Sequence, residues 1–233
     1  MKDILIGIVA VNQNYIDKAK KLMDQLLRCV DVNFLILTDK PIQFEQYNNT
    51  KVLEYRKEIF SYHDKRILFE EGFKLSDCVL LLDADHVVRE VNDFNNIDIK
   101  ILEPGVYPQL MWKHPNECSF ENFILGKTPR VPYGVEYKRY CELLNLNIEK
   151  VFLIQESFVL IKKNEKIYDF LLIWEKLAKF CEDQDLKRNQ HILGYGEGYS
   201  LGVSIRGADL KIFESNQVVN NIIKNFKHLA WEK

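Results

Sequence analysis

Asp83-Ala84-Asp85 closes the most apolar run of the chain: Val79-Leu80-Leu81-Leu82 leads into it and His86-Val87-Val88 follows. Two carboxylates two residues apart at the end of an extended run fall on one side of the backbone. Side by side they repel each other unless a cation neutralises them. Hard divalent ions favour such oxygen donors and keep positions open for phosphate oxygens. The pair therefore reads as a Mg2+ or Mn2+ site clamping a diphosphate, with a solvated turn as the plain alternative.

Other residues could serve that chemistry. Tyr15 follows an apolar strand and offers a flat face for a nucleobase, worth about 1–3 kcal/mol by stacking. Lys65 and Arg66 lie just before the aspartate strand, and Arg66, able to grip phosphate with two nitrogens, is the favoured phosphate ligand. Glu197 stands between Gly196 and Gly198 at an expected helix start, where the helix dipole favours its anionic form. It is the preferred candidate for a catalytic carboxylate. Gln155-Glu156 interrupts an apolar strand, which makes Glu156 a second candidate. Asp183 and Asp185 form a third, expected at a solvated helix end.

These residues need elements to hold them. Ile4–Val11, Asn33–Thr38, Lys51–Tyr55 and Cys78–Leu82 read as strands. Tyr15–Cys29 and Ser61–Leu75 read as the intervening helices. That alternation predicts an α/β fold with a mainly parallel sheet, whose carboxyl edge gathers Asn12–Tyr15, Thr38–Asp39 and Asp83–Asp85. Beyond residue 90, Gly105–Trp112 and Val151–Lys162 read as strands and Lys166–Cys181 as a helix. Leu210–Phe213 reads as a further strand, and Val218–Trp231 carries Val219, Ile222, Ile223, Phe226 and Ala230 on one face. His114–Tyr140 reads as an irregular excursion.

Composition excludes several classes. Lys plus Arg number 32 and Asp plus Glu 34 in 233 residues, so the net charge of −2 argues against a dedicated nucleic-acid binder. No apolar run reaches the ~18–20 residues of a membrane span. Five cysteines without a C-x-x-C pair point to buried thiols and a cytoplasmic setting. The chain reads as one domain, 1–233, with a regular half at 1–90 and a less regular half at 91–233.

With these residues in place, the chain resembles a glycosyltransferase of the GT-A fold, whose D-x-D motif matches Asp83-Ala84-Asp85. Ala10-Val11-Asn12-Gln13-Asn14-Tyr15 is similar to the A-T-D-D-N-Y segment of the glycogenin-like family, family 8, and Thr38-Asp39 to its I-L-T-D. The resemblance implies that Val11, Asn12 and Tyr15 hold the base of a nucleotide-sugar donor, UDP-linked by that analogy. It also implies that a late histidine, His228, joins Asp83 and Asp85 around Mn2+ or Mg2+. Here Lys227-His228-Leu229-Ala230-Trp231 lacks the Gly and Lys-Pro-Trp of that family's motif. Gly196-Glu197-Gly198 is similar to the G-E-D region of many glycosyltransferases, with Gly198 in place of Asp, and Asp183-Gln184-Asp185 to a family 8 D-Q-D.

The expected reaction moves a sugar from that donor to a saccharide or other hydroxyl acceptor. Three other readings stand beside it. A sugar-1-phosphate nucleotidyltransferase would open with a glycine-rich, Arg-bearing loop. A haloacid-dehalogenase-like phosphatase would carry Asp-x-Asp-x-Val on its first strand, not its fourth. A non-catalytic nucleotide or carbohydrate binder would keep the sheet alone.

Overall fold

The computed structural model describes residues 3–89, 98–109, 111–112, 138, 141–142, 144–147, 153–187, 193, 197–214 and 216–229. Its first half alternates strand and helix. β1 (Leu5–Ala10) leads to α1 (Gln13–Leu27), β2 (Asn33–Thr38) and β3 (Thr50–Glu54). A 3-10 turn, Tyr62–Asp64, then feeds α2 (Lys65–Gly72), which precedes β4 (Cys78–Leu82) and the short β5 (His86–Val88). The helix expected over Ser61–Leu75 is thus shorter, because Ser61 is drawn into a bridge with Leu193.

The expected strand Gly105–Trp112 divides into β6 (Gly105–Pro108) and β7 (Met111–Trp112). Likewise β8 (Leu153–Ile154) and β9 (Phe158–Lys162) flank the Gln155–Ser157 turn. Three helices and a strand follow: α3 (Ile167–Lys187), α4 (Glu197–Gly207), α5 (Gln217–Lys224) and β10 (Phe226–His228). One expectation changes here: Ile212 makes only a bridge to Val106, not a strand. The C-terminal amphipathic segment is helical as far as Lys224. The side chain of Asn225 caps back to the carbonyl of Asn221 at 2.8 Å, and the chain then straightens into β10.

The main sheet runs β3-β2-β1-β4-β9-β6. β1, β2, β3 and β4 are parallel, and β9 lies antiparallel between β4 and β6. Near-continuous apolar strands are what a parallel sheet covered on both faces requires. Strand alternation divides the core accordingly. Ile4, Ile6, Ile8, Leu80 and Leu82 meet Ile16, Leu22 and Met23 of α1 and Val219 and Ile222 of α5. Leu5, Leu35, Val79 and Leu81 meet Leu68 and Phe69 of α2, Phe170 and Trp174 of α3, and Leu201 of α4. Each such side chain contributes about 1.5–3 kcal/mol on burial.

This is an α/β architecture with a mostly parallel, mixed six-stranded sheet flanked by helices. The expected helix Lys166–Cys181 runs on to Lys187, so Asp183 and Asp185 sit inside it. Asp185 is fully buried, not solvated as the sequence suggested.

Candidate functional site

Parallel strands deliver their following loops to one sheet edge. The loop after β1 brings Val11, Asn12 and Tyr15, and the end of β4 brings Asp83, Ala84 and Asp85. The connection from β3 to α2 adds Phe60, Tyr62 and Lys65. Together with Val9 these ten residues line a cavity of about 330 Å3. A larger hollow of about 750 Å3 lies at the opposite strand ends, around Asp3, Asn33, Thr50 and Cys78. It has no paired carboxylate motif, and the aromatic in its lining, Phe34, is buried in the core and presents no open ring face, so chemistry and not volume selects the smaller cavity.

Lys65 opens α2 and is buried, with its Nζ 2.9 Å from Asp83 Oδ1. The same ammonium stands 5.8 Å from the centroid of the Tyr62 ring. Arg66, favoured by sequence as the phosphate ligand, instead reaches back to Glu70 at 2.8 Å and does not line the cavity. Successive helical side chains diverge by about 100°, so only one of the two cations can face β4. Tyr15 is partly exposed in the first turn of α1, and the Lys18 ammonium lies 4.9 Å from its ring centroid.

The backbone around the aspartates is held from two sides. The Asp83 N–H donates to the Ser157 carbonyl at 3.0 Å, continuing the β4–β9 ladder. The Asp83 carbonyl accepts from the His86 N–H at 3.1 Å, and the buried His86 ring has Nδ1 3.0 Å from the same oxygen. β10 pairs antiparallel with β5, setting His228 opposite His86 in register. The Leu229 N–H then donates to the Asp85 carbonyl at 3.1 Å. The C-terminal strand is therefore hydrogen-bonded to the aspartate turn, although the His228 side chain lies outside the described residues.

Glu156 sits in the turn between β8 and β9, one residue from the Ser157 carbonyl that holds Asp83. The first turn of α4 abuts it: a Cβ on Gly198 would lie 3.2 Å from Glu156 Oε2 and 2.4 Å from the Ile154 carbonyl oxygen. Glu197 is the first residue of α4, so its backbone adjoins this turn, and its side chain lies outside the described residues. Gln155 and Ser157 are buried beside it, with Gln155 Oε1 and Ser157 Oγ lacking a hydrogen-bond partner. His114 and most of the excursion over residues 114–140 also lie outside the described residues.

Sequence reasoning missed the wall formed by Phe60 and Tyr62 and the network behind it. The buried Asp64 carboxylate accepts from the Tyr55 hydroxyl at 2.8 Å and from Lys57 Nζ at 2.6 Å. Tyr62 and Phe60 exchange backbone hydrogen bonds with Leu193, both 3.0 Å, tying this wall to the chain just before α4. Burial, then the Asp64 charge, pushes the Tyr55 phenol above its ordinary range. Burial, helped by Arg66 and Lys57, pushes the His63 ring down to about 3. His63 is therefore neutral, accepting from Trp174 Nε1 at 3.3 Å. The alternating aromatics of Phe60-Ser61-Tyr62 were the available sequence signal.

Asp83 and Asp85 offer a divalent cation two carboxylates, and a Mg2+-type ion commonly needs only one or two from protein when phosphates and water complete its shell. The donor set fits. Among the described residues, no cluster of three or more metal-ligating side chains is present. No protein-family model matches the chain, and no curated protein does. Among the described residues, no helix is long and apolar enough to cross a membrane.

Proposed function

We propose that this chain is a metal-dependent glycosyltransferase of GT-A type, moving a sugar from a nucleoside-diphosphate donor, UDP-linked by resemblance, to a hydroxyl acceptor. One observation carries the reading: the buried Lys65 ammonium faces Asp83 of a carboxylate pair in a cavity that Tyr15 also lines. Base, diphosphate and counter-charge thus have neighbouring partners along one sheet edge.

Tyr15 stacks on the base, with Val11 and Asn12 beside it. Asp83 and Asp85 would hold Mn2+ or Mg2+, which, when bound, neutralises negative charge on the diphosphate. Lys65 supplies a fixed positive charge toward the leaving nucleoside diphosphate, where preorganised charge is most effective. As the sugar–oxygen bond breaks, the anomeric carbon becomes cationic. Glu197, which opens α4, or Glu156, in the turn that the first turn of α4 abuts, orients the acceptor hydroxyl or takes its proton.

The test is a thermal-shift screen of UDP, GDP, CMP and their sugars, each with Mn2+ and with EDTA. A ligand at 100 times its Kd stabilises the fold by about 2.7 kcal/mol. A metal-dependent shift with one nucleotide is expected, lost in Asp83→Asn and weakened in Lys65→Met. Donor turnover should fall by about 10²–10³-fold in Lys65→Met, the range for removing one preorganised donor. No shift in folded wild-type protein would sink the donor site, and release of inorganic phosphate would favour the phosphatase chemistry instead.

A further inference from the structure

Asn12 has φ 71° and ψ 159°, a backbone region that side-chain-bearing residues almost never enter. It stands between β1 and α1 and lines the cavity. Its N–H donates to Asp39 Oδ1 at 3.0 Å, across from the end of β2. Its own Oδ1 accepts from the Tyr15 N–H at 3.3 Å, and its carbonyl accepts from the Ile16 N–H at 3.0 Å. The conformation of Asn12 therefore sets where α1 begins and where Tyr15 projects.

The strain and the Asp39 bond are coupled. Turning φ back to negative values would rotate the Val11–Asn12 peptide against α1 and carry the N–H away from Asp39. A second tie supports the same loop: Gln13 bonds to Lys40 at 3.1 Å and to Gln43 at 2.9 Å. Those side chains hold the helix start, whereas Asp39 holds the strained peptide itself. Strained backbone at a site edge persists where surrounding groups over-determine it.

We propose that Asp39 is a positioning residue for the nucleobase: its carboxylate holds the Asn12 peptide in its strained orientation, which presents Tyr15 to the base. The inference rests on the nucleotide-donor reading above. It separates base affinity from diphosphate affinity, since Asp39 does not line the cavity and touches neither phosphate nor metal partners.

The experiment measures Kd by titration calorimetry for UDP, GDP and inorganic pyrophosphate, each with Mn2+. The proteins are wild type, Asp39→Ala, Asp39→Asn and the double variant Asn12→Gly/Asp39→Ala. Asp39→Ala should weaken the preferred nucleoside diphosphate about tenfold, equal to about 1.4 kcal/mol, and leave pyrophosphate unchanged. Asp39→Asn retains an acceptor oxygen and should bind like wild type. The double variant should recover most of the loss, because glycine adopts the Asn12 conformation without strain. That variant also keeps the test open if Asp39→Ala does not fold.

A wild-type preference for the nucleoside diphosphate that survives Asp39→Ala overturns this inference alone. So does equal weakening of pyrophosphate, or a folded double variant that binds the nucleoside diphosphate no better than pyrophosphate. Wild-type protein that binds no nucleoside diphosphate better than pyrophosphate removes the donor reading and this inference together.

Discussion

Lys65 and His63 sit two residues apart in opposite electrostatic settings. Lys65 is buried against a carboxylate that rewards its charge. His63 is buried with Trp174 Nε1 on one nitrogen and cations nearby, which penalise its charge. The contrast has a consequence for acid stability. Above the ordinary histidine value of 6.5, folded and unfolded chains both hold this ring neutral. Below it the unfolded chain takes up a proton that the folded chain refuses until about pH 3. The depressed value therefore leaves stability intact above pH 6.5 and erodes it as pH falls toward about 3. The slope is up to about 1.4 kcal/mol per pH unit. Urea titrations between pH 7 and about 4 should show a shallower loss for His63→Gln than for wild type. Identical slopes would mean that the native ring takes up its proton over the same range as the unfolded one.

Elements meet at the site through unusually close backbones. The first turn of α4 approaches β8 so nearly that Gly198 has no room for a methyl group beside the Ile154 carbonyl. Gly198→Ala must push α4 or the Gln155–Ser157 turn aside. Overpacking of this kind costs about 1–3 kcal/mol. At about 2–4 °C per kcal/mol for a chain of this size, Tm should fall by about 2–12 °C. Differential scanning calorimetry reads it directly, and an unchanged Tm would show that the turn yields freely. Any nucleotide-dependent stabilisation should survive better than acceptor-dependent turnover, because β10 also holds the aspartate turn, through the Leu229 N–H on the Asp85 carbonyl.

Across the whole molecule, the sheet mixes the two sequence halves. β9, from beyond residue 150, lies between β4 and β6 and pairs with Cys78–Leu82 along five residues. α3 and α4 share one core with α2, while α5 shares the other with α1. Unfolding the second half would strip the aspartate strand of a neighbour and expose both cores. Far-UV circular dichroism and tryptophan fluorescence, in which buried Trp174 of α3 reports, should therefore give coincident denaturant midpoints. Two separated transitions would show that the halves fold independently despite the shared sheet.

The parallel half of the fold was legible from sequence because its signals are local. Apolar runs such as Ile4–Val11 and Cys78–Leu82 specify buried strands, and the alternating helices force their carboxyl ends to one edge. That reasoning alone brought Asn12–Tyr15 and Asp83–Asp85 together. What it could not rank was Lys65 against Arg66, because adjacent helical residues differ only in direction, and direction depends on where α2 docks on the sheet. Nor could it see the β10 clamp on the aspartate turn, the wall of Phe60 and Tyr62, or the Asp39 bond to Asn12. Each joins residues far apart in the sequence, or depends on a backbone angle, and neither periodicity nor residue type encodes such long-range placement. The sequence by itself determined the sheet and the identity of the carboxylate pair; tertiary packing alone decided which cation, which wall and which strand surround it.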